Sequence, residues 1–250
     1  MGIGTKLGVL ASSGVSAFSN TYSAVFDGAN DYIESDAIYD GLDGGTKLSV
    51  SIWVKPISGA PTLEYALHNP RSGVANQGQF GLTIYEGNSV QFFVQTFNAQ
   101  KVLAPISNIT YGSWNHILVT VDLALSHPNE AKMYINGSDV GTSTMGTLSS
   151  FYAATDKLHI GEEGNGGYNP FHGNIDEVAI WVGTTLTSGN ATTIYNSGTP
   201  TDLSLFTTPP TNWWRMGDND GGTGTTLTDA IGSADATLIN GASYEEEVPS

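Results

Sequence analysis

F-H-G-N-I-D-E-V-A-I-W, residues 171–181, carries two interleaved residue sets. Asp176, Val178, Ile180 and the following Val182 form one set; Ile175, Glu177, Ala179 and Trp181 form the other. Such a two-residue period is that of a β-strand. Apolar residues stand in both sets, which predicts a strand central in its sheet and covered on both faces. Asp176 then shares a face with Val178 and Ile180. A carboxylate on an apolar face needs a cation or several N–H donors.

Working outward, the same period recurs. In K-L-S-V-S-I-W-V-K-P, residues 47–56, Val50, Ile52 and Val54 oppose Ser51, Trp53 and Lys55, and Pro56 ends the strand. W-N-H-I-L-V-T-V-D, residues 114–122, aligns Ile117, Val119 and Val121. Tyr22–Glu34 reads as strand, turn at Asp27-Gly28, strand. Asn136-Gly137 sits between two short strands, a strong hairpin signal, and a second hairpin turns around Glu86-Gly87-Asn88. One short helix is predicted over 187–196, with Ser188 as its N-cap and Gly198 beyond its end. Leu63–Leu67 reads as a short strand, followed by a long polar loop from His68, H-N-P-R-S-G-V-A-N-Q-G. Trp213–Met216 and Ala236–Ile239 are further strands, and an acidic Tyr244–Glu247 closes the chain.

Composition bounds the function. The chain has 31 glycines in 250 residues and no cysteine, which suits many short strands and tight turns and removes any disulfide framework. Its 24 acidic and 8 basic residues leave a net charge of −16, a surface that repels phosphate backbones and argues against nucleic acid. No apolar run is long enough to span a membrane, and the first residues, with one lysine and a short apolar stretch, make a poor secretory signal. Residues 1–20 are small and polar and read as an arm or tether; residues 21–250 read as a single domain.

Six segments in order resemble the laminin-G-like, concanavalin A-like jelly-roll superfamily. They are F-D-G-A-N-D-Y-I (26–33), L-S-V-S-I-W-V-K-P (48–56), W-N-H-I-L-V-T-V-D (114–122), K-M-Y-I-N-G (132–137), L-H-I-G (158–161) and G-N-I-D-E-V-A-I-W (173–181). The resemblance implies an all-β, two-sheet antiparallel sandwich. Residues 213–244 look like the segment that precedes F-D-G in that family, yet here they come last. That order implies a permuted layout in which residues 213–246 return to complete the sandwich, so that residues 22–26 and 236–246 lie close together. The small-residue arm leading into a jelly roll also resembles structural proteins of tailed bacteriophages.

The family also hosts glycosidases with an E-x-D-x-x-E strand motif, which this sequence lacks; Glu162 and Glu163 are adjacent and Gly-flanked. No nucleophile elbow, zinc-protease or phosphate-loop motif is present. The expectation is therefore a non-catalytic protein. In related folds a structural Ca²⁺ joins the F-D-G turn to an Asp of the late strand, which implies Asp27, Gly28 and Asp176 as its ligands here. For a glycan, the loop residues His68, Arg71, Tyr168, Phe171 and His172 offer aromatic faces and polar neighbours. The expected role is a structural or adhesion protein of a virion surface or tail, presenting a glycan-binding sandwich and contacting neighbours, or further copies of itself, through residues 1–20. The alternatives are a secreted, extracellular bacterial carbohydrate-binding module and a divergent glycoside hydrolase.

Overall fold

The structure is a computed structural model, and it describes residues 18–37, 39, 42–57, 63–70, 78–96, 99–107, 109–126, 129–141, 148–151, 156–164 and 169–250. In chain order the strands are β1 (Ser23–Asp27), β2 (Tyr32–Ser35), β3 (Lys47–Pro56), β4 (Leu63–Pro70), β5 (Gly78–Tyr85), β6 (Ser89–Thr96), β7 (Ala99–Ser107) and β8 (Asn115–Asp122). They continue with β9 (Ala131–Ile135), β10 (Ser138–Asp139), β11 (His159–Ile160), β12 (His172–Val182), β13 (Asn212–Trp214), β14 (Thr226–Leu227), β15 (Ala236–Ile239) and β16 (Ser243–Glu245). Helix α1 spans Ser188–Tyr195.

Two eight-stranded antiparallel sheets face each other as a sandwich. The first runs β10-β9-β8-β3-β12-β1-β16, with β13 also on β12; the second runs β14-β15-β2-β11-β4-β5-β6-β7. Val50, Ile52, Val54, Ile117, Val119 and Val121 point inward from the first sheet into the main core, as their alternation predicts. Phe80, Leu82, Phe92 and Val94 meet them from the second. The Asn136-Gly137 turn joins β9 to β10 with both residues at positive φ (50° and 75°), as a type I′ hairpin requires.

The C-terminal segment enters both sheets. β16 lies on β1, with Ala24 opposite Tyr244, and β15 lies on β2, with Leu238 opposite Ile33. Its acidic residues find partners there: Glu245 accepts from the Asn174 amide and Glu247 pairs with Lys55. Asp229 anchors the turn before β15. Its carboxylate accepts from the Asn212 amide (2.6 Å) and from the backbone N–H groups of Trp213, Ile231, Gly232 and Ala234.

A second apolar layer lies on the outer side of the first sheet, where Leu118, Tyr134, Ala179, Trp181 and Trp213 pack under α1. The helix cap is Thr187 rather than the expected Ser188: the Thr187 hydroxyl accepts from the Asn190 N–H, and the Asn190 side chain returns the bond to the Thr187 N–H.

β12 is central, between β1 and β3, but its alternation breaks. The register against β3 shifts between Asp176 and Ala179, and Glu177 sits at φ 48°. This β-bulge flips the parity of the strand. Ile175, Val178 and Ile180 face the core, whereas Asp176 lies opposite Trp53 on the outer face. The sequence expectation that Asp176 shares a face with Val178 and Ile180 is thereby corrected.

Candidate ligand-binding site

The outer face of the second sheet gathers the chemistry-bearing residues. β11 is short, and its pairings set His159 opposite both Glu34 on β2 and His68 on β4. His68 in turn lies opposite Gly81 on β5, and Gly81 lies opposite Phe93 on β6. Because these pairs are in register, one row crosses the sheet: Glu34, His159, His68, Gly81, Phe93. Gly81 leaves the space that a Cβ would take from the Phe93 ring, so the ring lies across the sheet beside His68.

The row has two halves. In the first, the His159 ring stacks on Tyr32 (5.1 Å between centroids, 7° between planes). Its Nδ1 is 2.8 Å from the Glu162 carboxylate and its Nε2 3.8 Å from Glu34. Lys157 bridges Glu34 and Asp36 at the edge of this half (3.1 and 2.7 Å). In the second half, His68 packs between Tyr65 (5.1 Å) and Phe93 (5.7 Å). It is buried, and among the described residues neither ring nitrogen has a hydrogen-bond partner. Burial, reinforced by the neighbouring His159, lowers its pKa to about 3, so the imidazole is neutral and offers one donor and one acceptor. Glu163 is buried beside this half and accepts from the Asn169 amide (2.9 Å).

The residues anticipated for a glycan fare differently. His68 belongs to the face, but it lies inside β4 rather than on a loop, because that strand runs on to Pro70. Phe171 is corrected: it is fully buried in the main core, edge-on to Phe26, with no ring face open to a sugar. His172 is half-buried at the start of β12, against Gly28. Arg71 and Tyr168 lie outside the described residues. Tyr32, Tyr65 and His159 were not anticipated for the site. Their strands were partly legible, but the shared row depends on β11 joining β2 to β4, a pairing that two residues do not announce.

The residues expected to hold calcium do not converge. Asp27 pairs opposite His172, whereas Asp176 lies four residues farther along β12, about 13 Å away at the usual strand rise. One ion cannot take both. Asp27 instead caps its own turn, accepting from the Ala29 N–H (2.8 Å). Asp176 accepts from the Asn20 amide and the Glu177 N–H (both 2.8 Å). Among the described residues no group of three or more acidic or histidine side chains is placed to hold a metal.

Residues 18–20, expected to belong to the arm, lie on the domain. Phe18 stacks on Trp213 (6.1 Å), with the Arg215 guanidinium 4.3 Å from the Phe18 ring centre. Arg215 also pairs with Glu177 (3.2 Å) and donates to the Ser19 carbonyl. Residues 1–17 lie outside the described residues.

Comparison with solved structures returns the same sandwich. A Bacteroides ovatus protein assigned to carbohydrate binding aligns over 93% of this chain at 17% identity and a TM-score of 0.66, and this chain spans 62% of its length. A heptameric pentraxin from Limulus polyphemus aligns over 70% of this chain and 82% of its own at 20% identity (TM-score 0.54). Domain 4 of an extracellular arabinanase from Geobacillus stearothermophilus, solved with arabinotriose, aligns over 69% and 76% at 23% identity (TM-score 0.50). No curated protein matches the chain. The family model described as the concanavalin A-like lectin/glucanases superfamily matches residues 27–192, and with the two-sheet sandwich this chain belongs to that superfamily.

Proposed function

We propose that this protein is a non-catalytic glycan-binding β-sandwich whose site is the outer face of the second sheet. One observation carries the reading: His68, buried and neutral between two aromatic rings, has two ring nitrogens without a protein partner among the described residues. Buried polar groups are normally paired, and an unpaired one marks a place for water or ligand. A sugar supplies what the cradle lacks, hydroxyls for the imidazole. The Bacteroides protein assigned to carbohydrate binding and the Geobacillus domain solved with arabinotriose agree with this ligand class.

Two further features support binding over hydrolysis. Glu162 and Glu163 are tied to His159 and Asn169, not poised as a free acid and base. His68 is neutral at pH 7 and so is no imidazolium acid. We place the protein in a virion surface or tail, with residues 1–20 as its assembly element. Its acid-free start, in a chain of net charge −16, is suited to meeting another copy.

The test is a glycan array followed by calorimetric titration with the best binder, using arabinotriose as a defined first probe. His68→Leu removes both ring nitrogens at similar volume, and Tyr32→Ala removes the ring stacked on His159. Each variant is expected to weaken binding about 10-fold or more, equivalent to about 1.4 kcal/mol. An array with no binder, or full affinity in both variants, overturns the reading. Release of reducing sugar by the wild type overturns its non-catalytic part.

A further inference from the structure

On the outer side of the first sheet, two clefts of about 450 and about 310 Å³ adjoin and share Thr185 and Leu186. Together they form one groove beside α1. Leu205 and Phe206 rim the first part, and Leu125, Asn129 and Lys132 the second. Leu205 is 78% exposed and Leu125 50%. Among the described residues the large exposed apolar side chains are these two and Ile57, so the groove holds two of the three. Leu205 and Phe206, adjacent in the chain, put apolar surface together on one rim.

We infer that this groove receives the N-terminal segment, residues 3–10, of a second copy of the chain. Three observations select that occupant. The described chain begins at Phe18, which packs on the same apolar cluster as Leu186 and Phe206, two residues that line the groove. The segment I-G-T-K-L-G-V-L carries Ile3, Leu7, Val9 and Leu10 among small residues, the kind of chain that a groove with apolar side chains on its rims accepts. Residues 1–26 contain no Asp or Glu, and Lys6 is their one charged residue, so in an otherwise acidic protein this stretch approaches another copy without repulsion.

Chain length favours exchange over folding back. Leu10 precedes Phe18 by eight residues, about 26 Å of extended chain, and the intervening A-S-S-G-V-S-A is a small-residue spacer. That reach is long enough to carry the apolar block to a neighbouring copy. Exchanging an identical element between copies is a low-cost route to assembly. The inference rests on the assembly part of the function proposed above and is independent of glycan binding.

Sedimentation velocity of the full-length protein tests it. The wild type is expected to self-associate. Leu205→Asp in the groove, and Leu7→Asp with Leu10→Asp in the arm, are each expected to weaken association at least about 10-fold, while Ile57→Asp, away from the groove, leaves it unchanged. Mixing the groove variant with the arm variant restores association in part, because the intact arm of one meets the intact groove of the other. An unchanged melting temperature for Leu205→Asp, whose side chain is exposed, separates lost docking from lost folding. A monomeric wild type, normal association of Leu205→Asp, or a mixture that stays monomeric overturns the proposal. Glycan affinity retained in monomeric Leu205→Asp shows that the two proposals stand or fall separately.

Discussion

Gly173→Ala is expected to lower the melting temperature of the protein by about 10 °C or more, read by circular dichroism. Gly173 sits in β12 between Phe26 of β1 and Pro56 of β3, where the two halves of the first sheet join. Its φ of 137° is a conformation that residues with a Cβ avoid, and a Cβ there would overlap the Lys55 carbonyl oxygen. The obstacle is backbone in the β3–β12 ladder, so it cannot swing away as a side chain would. Backbone strain and overpacking each cost about 1–3 kcal/mol, and in a domain of this size each kcal/mol lowers the melting temperature by roughly 2–4 °C. Gly87→Ala is the control. Gly87 has φ 89° in the β5–β6 turn but open space around it, so it bears the backbone cost alone, about 1 kcal/mol. Equal shifts in the two variants would contradict the steric part of this account.

Stability is expected to fall as pH rises from about 6.5 to about 8, and Glu64→Gln to remove part of that fall. Glu64 points into the end of the core, fully buried on β4. Burial pushes its pKa up to about 8, opposed by the His172 N–H. The folded state thus keeps the Glu64 proton across a range, from about 4.5 to about 8, in which the unfolded chain has released it, and stability drops as pH climbs through that window. Asp176 and Glu177 act in the same direction. The bulge brings both to the outer face beneath Asn20 and Arg215, and burial raises both pKa values, further for Asp176 through the charge of Glu177.

His68 and His116 act in the opposite direction. Burial lowers both to about 3, so below about 6.5 the unfolded chain takes up protons that the folded chain refuses, and stability drops as pH falls. The optimum therefore lies on the mildly acidic side of neutrality. Glu64 loses at most about 1.4 kcal/mol per pH unit, an upper bound of about 4 kcal/mol from pH 5 to pH 8; with solvent screening of a group at the end of the core, Glu64→Gln is expected to be about 1–2 kcal/mol more stable relative to wild type at pH 8 than at pH 5. Identical pH profiles for the two proteins in urea unfolding would remove Glu64 from the account.

The strands that define the fold were legible because each buries one face and exposes or covers the other in strict alternation. Lys47–Pro56 and Asn115–Asp122 pair residue for residue, Val50 on Val119 and Ile52 on Ile117. Turns with Asn-Gly or Gly-Asn were legible because few residues tolerate positive φ. Ala99–Ser107 was not recognised as a strand: A-Q-K-V-L-A-P-I-S lacks clean alternation and contains a proline, and it forms an edge strand on β6, where one side of the ladder is free.

The bulge at Glu177 was invisible for a different reason. No glycine marks it, and the positive φ is held by tertiary partners: the Trp213 indole N–H and the Arg215 guanidinium both bond the Glu177 carboxylate. Those partners lie some 36 residues away in sequence. Because the bulge sets the face on which Asp176 points, the reading of Asp176 as a core-facing ligand followed the local pattern and failed with it.

The sequence by itself determined the class of fold, since alternation, turn chemistry and the absence of cysteine are local properties of the chain. It also set the sign of the surface and so the partners that charge excludes. Only the tertiary structure decided where chemistry is concentrated. The row from Glu34 to Phe93 draws on five strands, and the rings packed on His68 come from its own strand and from β6, two strands away. Strand register across a sheet is fixed by the packing of whole faces, so residues far apart in sequence become neighbours by a rule that no single segment contains.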